Sequence, residues 1–92
     1  MKISWKDKVD LIIMNPQVSL KQIQKLLDVG QPSAIKIREE TLKLAKKNGR
    51  WVSVRKVPTD LLLETVGLDY DYFKTMARNE LSAARNTVYE KQ

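Results

Sequence analysis

The side chains able to do chemistry gather between Gln31 and Lys56. Seven of them stand out there: Gln31, Ser33, Lys36, Lys43, Arg50, Arg55 and Lys56. Their chemistry is recognition rather than bond making. Glutamine pairs in a bidentate way with adenine, lysine reaches guanine O6 or N7, and serine serves either base or phosphate. Arg50, Arg55 and Lys56 suit phosphate, which fixes a protein's position on a duplex without reading sequence.

The excluded chemistries are equally plain. The 92 residues hold no histidine and no cysteine. Thiolate and imidazole metal sites, disulfides, Ser-His and Cys-His nucleophiles and imidazole acid–base catalysis are therefore out of reach. No paired-carboxylate motif or glycine-rich phosphate loop replaces them, so no catalytic residue, metal site or cofactor is expected. The longest apolar run, Leu11 to Met14, is far too short to cross a membrane. Met1-Lys2 leads straight into a capped helix, which reads as a chain without a signal peptide and a cytoplasmic location.

Charge sharpens this expectation. The net charge of +6 is unevenly spread. Residues 31–56 carry eight Lys or Arg against two Glu, whereas residues 57–92 carry four against six Asp or Glu. Scattered lysines on a solvated helix would not leave the C-terminal third acidic. A localised basic face is the electrostatic footprint of a polyanion partner.

The elements that must present these side chains can be read around them. Ser19 and Gln22 have the spacing of a capping box. Leu20, Ile23, Leu26 and Leu27 follow at helical intervals. Gly30 offers the positive φ that a sharp reversal often needs. Pro32 favours a helix start, and a second helix runs to Asn48-Gly49, a good stop. Ala34, Ile37, Thr41, Leu44 and Ala45 share its apolar side, with Lys36, Glu39, Lys43, Lys46 and Lys47 opposite. The start of such a helix fits the DNA major groove. The alternative is an ordinary helical hairpin.

Around this pair, Ser4 and Asp7 predict a first helix that presents Trp5, Val9, Ile12 and Ile13 and ends at Asn15-Pro16. Trp5 reads as a core residue, with nucleic-acid stacking as the alternative. Trp51, Val52 and Val54 predict a short strand within Arg50 to Pro58, with Val57 starting a second. Leu62, Leu63 and Val66 belong to a helix opened by Pro58-Thr59-Asp60. Asp69 caps a last helix towards Tyr89, whose stripe of Phe73, Ala77, Leu81, Ala84 and Val88 serves either intramolecular packing or a homodimer. The fold class expected is mainly α: one helix-turn-helix domain over 1–92, winged-helix-like, with a core at 19–67 and flanking N- and C-terminal helices.

The run from Ser19 to Gly67 resembles the small excisionase-type winged-helix proteins of phages and integrative mobile elements. The residues that carry the resemblance are the capped first helix, Lys47-Asn48-Gly49, a short β segment, Lys56-Val57-Pro58 and Val66-Gly67. The segment between Gly49 and Val57 is short for a full wing. The resemblance implies non-catalytic binding of double-stranded DNA, either as an architectural factor beside an integrase or as a transcription regulator. A different class of function is a small phage-type inhibitor or adaptor that uses the same scaffold to bind a host protein such as a polymerase.

Overall fold

The computed structural model describes residues 2–53 and 55–90, with side chains to residue 83. In chain order the elements are α1 (Trp5–Met14), β1 (Gln17–Ser19), α2 (Leu20–Leu27), α3 (Gln31–Lys47), β2 (Lys56–Pro58), α4 (Thr59–Thr65) and α5 (Tyr70–Glu90). The architecture is mainly α, with α2 and α3 as a helix-turn-helix and one two-stranded antiparallel sheet, a winged-helix-like plan.

Helix starts follow their caps. The Ser4 hydroxyl accepts from the Asp7 N–H at 3.1 Å. Glu80 completes that end of α1 from α5, its two carboxylate oxygens accepting from the Trp5 and Lys6 N–H groups at 3.1 and 3.4 Å. These N–H groups have no partner inside the helix, and a carboxylate there also opposes the positive end of the helix dipole. The capping box at α2 forms in both directions, Ser19 N–H to Gln22 Oε1 at 2.8 Å and Gln22 N–H to Ser19 Oγ at 3.4 Å. Asp69 accepts from the Tyr72 N–H at 2.8 Å and so starts α5.

The sheet ties the two halves of the chain. Val18 lies opposite Val57, with Gln17 opposite Pro58 and Ser19 opposite Lys56. Both valines are fully buried. The Thr59 N–H reaches the Pro16 carbonyl at 2.9 Å and extends the ladder. Ile23, Leu26, Ala34, Leu62, Leu63 and Phe73 close around the valine pair to form the core.

Three local expectations are corrected. The strand expected at Trp51, Val52 and Val54 does not form over Trp51 and Val52, and Val54 falls outside the described residues, whereas the second strand expected at Val57 is present as Lys56–Pro58. The partner strand β1 is only three residues long, so no edge is available for Trp51 and Val52 to pair with. In α1, Ile13 is 62% exposed and Lys8 is buried instead. The inward face of α1 includes Lys8, whose ammonium pairs with the partly exposed Asp28 at the α2–α3 turn. Finally, the left-handed residue between α2 and α3 is Asp28, at φ 55°, whereas Gly30 is extended at φ −76°.

Candidate nucleic-acid interface

Helix α3 is held by its small residues. Ala34, Thr41 and Ala45 are buried, and their short side chains let neighbouring helices approach. The fully buried Thr41 hydroxyl lies 3.1 Å from that of Thr65, which donates to the Leu61 carbonyl at 2.8 Å and joins α3 to α4. The turn before α3 is set by Asp28 and by a Val29 N–H to Gln24 carbonyl bond of 3.3 Å. Gly30 caps α3 without a side-chain hydrogen bond.

With that face committed, the opposite face is solvent. Gln31, Ser33, Lys36 and Lys43 are all exposed, together with Glu39, Glu40, Lys46 and Lys47. At 3.6 residues per turn, Lys36, Lys43 and Lys47 fall within about 40° of one line along the helix. Gln31 and Ser33 flank that line on opposite sides, about 160° apart. The lysines therefore form one stripe, whereas Gln31, Ser33 and Lys36 do not share one face. Glu39 and Glu40 interrupt the stripe, and Glu40 lies 3.5 Å from Lys43. Both of those side chains are more than half exposed, so the pair contributes little.

The other basic residues lie on the chain leaving α3. That exit is a Schellman turn: Gly49 sits at φ 72°, its N–H bonds to the Lys46 carbonyl at 3.1 Å, and the Arg50 N–H bonds to the Ala45 carbonyl at 2.9 Å. Arg50 donates to Asp60 at 2.8 Å. The Arg50 guanidinium beside Asp60 holds its carboxyl below the usual carboxylate range, chiefly through the hydrogen bond; burial opposes this, and the charge of Arg50 adds a lesser lowering. Arg50 and Lys56 line one open hollow with Met14–Gln17 and Pro58. Arg55 and Lys56 are exposed, and both donate their N–H groups to the Ser53 hydroxyl at 3.0 and 3.2 Å.

Sequence reasoning missed three groups. Lys2, Lys21 and Lys25 converge on a hollow at the α2–α3 turn, with Gln24, Asp28, Val29 and Gly30. The i, i+4 spacing of Lys21 and Lys25 was a usable signal; the position of Lys2 was not. Arg38 on α3 has a buried Nε with no hydrogen-bond partner among the described residues. Trp51, read as a strand residue, stands 85% exposed. Among the described residues no His, Cys, Asp or Glu side chains gather in a group that could hold a metal ion, and no helix is long and apolar enough to cross a membrane. Comparison with protein-family models, curated proteins and solved structures returns no match.

Proposed function

We propose that this chain binds double-stranded DNA through α3 and the segment that follows it. It would act without catalysis as an excisionase-like architectural factor or transcription regulator of a phage or mobile element, in the cytoplasm. The observation that carries the reading is the solvent-facing lysine stripe of Lys36, Lys43 and Lys47 on the second helix of a helix-turn-helix. Such a helix fits the major groove, and lysines along it neutralise phosphates. Arg55 and Lys56 on the following segment, and Lys2, Lys21 and Lys25 around the hollow at the α2–α3 turn, add further exposed positive charge.

A second reading, an adaptor or inhibitor that binds a host protein, draws support from α5. Leu81 there is 54% exposed. The partner on that reading would be an integrase, a polymerase or a second copy of this chain.

Electrophoretic shift with mixed-sequence duplex DNA across a salt series tests the first reading. Contact with about four to five phosphates gives a slope of log K against log salt near −4, from about 0.9 per phosphate. Absence of binding at low salt would leave the adaptor reading.

A further inference from the structure

Trp51 is more exposed than any other large apolar side chain among the described residues, at 85%. Its neighbours show that this is a property of the fold. Val52 and Ser53, next in the chain, are half-buried, so the segment turns its next residues inwards and the indole outwards. The backbone just before it is fixed, because the Arg50 N–H is bonded to the Ala45 carbonyl and the Arg50 side chain to Asp60. The other tryptophan behaves differently: Trp5 packs on Tyr72 and Phe73 and lies under the Lys8 ammonium.

The chain around Trp51 is cationic in sequence. Lys46 and Lys47 precede it, Arg50 adjoins it, and Arg55 and Lys56 follow. The acid bonded within this segment, Asp60, is already paired with Arg50. A partner for this loop must carry negative charge and also offer a flat apolar face. Nucleic acid alternates the two, with phosphates flanking base π-faces on which an aromatic side chain stacks. The lysine stripe of α3 ends at Lys47, four residues before the indole in the chain.

We propose that Trp51 stacks on a base of the bound duplex at a step where base stacking is broken, with the surrounding cations on the adjoining phosphates. The inference rests on the DNA-binding reading above and adds to it a preference for distorted duplex, supplied by one residue.

The test uses the full chain and two mixed-sequence duplexes of about 20 base pairs, one fully paired and one with a single unpaired 2-aminopurine at its centre. Wild type is expected to prefer the second by about fivefold or more and to quench its emission, since the unpaired base offers a free face to the indole. Trp51→Ala should lose both effects and bind the unpaired-base duplex about tenfold more weakly, while Trp51→Phe keeps part of each. Circular dichroism and melting should not change, because the indole is exposed. If wild type binds both duplexes with a normal salt slope and Trp51→Ala matches it in affinity and emission, stacking is wrong and the DNA-binding reading stands. If wild type binds neither duplex at low salt, that reading has failed and the inference with it. A Trp51 emission shift with phosphatidylserine vesicles but with neither duplex would equally overturn it in favour of a membrane surface.

Discussion

Lys8 is the residue that pattern reading was least equipped to place. Its helix position looks like a solvated flank, yet it is 3% exposed, with its ammonium 2.6 Å from Asp28 and 4.0 Å from the centre of the Trp5 ring. Only the approach of α1 to the α2–α3 turn creates that environment. Breaking the pair from the two ends should therefore differ. Asp28→Asn keeps a residue that tolerates the left-handed conformation but strands a buried ammonium, and should cost about 3 kcal/mol. Lys8→Met keeps the length, loses the charge and leaves the partly exposed Asp28 to water, so it should cost less than about 1.5 kcal/mol. Urea denaturation of the two variants measures both, and an equal loss would mean that the pair is not what holds the turn. The lysines of α3 separate in another way. On the DNA-binding reading, Lys36, near the helix start, should read a base: Lys36→Ala should cost about 1–3 kcal/mol on a preferred site and relax one base pair. Lys43→Ala should weaken all DNAs alike and lower the salt slope by about one unit. Binding-site selection on both variants decides. A selected motif altered by Lys43→Ala and not by Lys36→Ala would reverse the docking of the helix.

At the scale of elements, what was legible in the sequence was what local chemistry fixes. Ser4, Ser19 and Asp69 announce helix starts because each supplies an acceptor for a free N–H, and all three do so in the structure. Gly49 and Gly67 announce ends because both adopt positive φ. The illegible parts depend on distant partners. β1 is three residues hidden between two helix signals, and it exists because Lys56–Pro58 pairs with it across the chain. Glu80 completes the start of α1 from 75 residues away, which no local pattern reveals. For the candidate site, the exposure of the basic residues could be read from the periodicity of α3, but the Arg50–Asp60 bond could not. That bond makes a prediction. Asp60 has a lowered folded pKa, so the pair stabilises the fold above the carboxylate's unfolded value, and the benefit is lost as pH falls through the lowered one. Asp60→Asn should thus lower stability at neutral pH by less than about 1 kcal/mol for so exposed a pair, seen as a slightly lower melting temperature, and the difference from wild type should vanish in acid. On the DNA-binding reading, the same variant frees Arg50 and removes a negative charge, so affinity for duplex DNA should rise.

For the whole molecule, the open question lies at the end away from the basic loop. The protein measures 55 × 23 × 20 Å, and α5 packs along α1 through Phe73 before its residues 78–83 all become exposed. The stripe read as Phe73, Ala77, Leu81, Ala84 and Val88 thus divides: Phe73 is core, Ala77 is half-buried, Leu81 faces solvent, and the side chains of Ala84 and Val88 lie outside the described residues. Ala77 and Leu81 border an open hollow with Lys6, Arg78 and Glu80. An intramolecular role for Leu81 would require a covering element, and none of the described residues supplies one. On the homodimer proposal, Leu81 from two copies would meet here. Leu81→Glu separates the cases, because a half-exposed surface position should change monomer stability by no more than about 0.5 kcal/mol. Light scattering at tens of micromolar should then give a dimer for wild type and a monomer for the variant, with both melting cooperatively. A wild type that is already monomeric at that concentration would remove the dimer and leave the exposed face of α5 to a different protein.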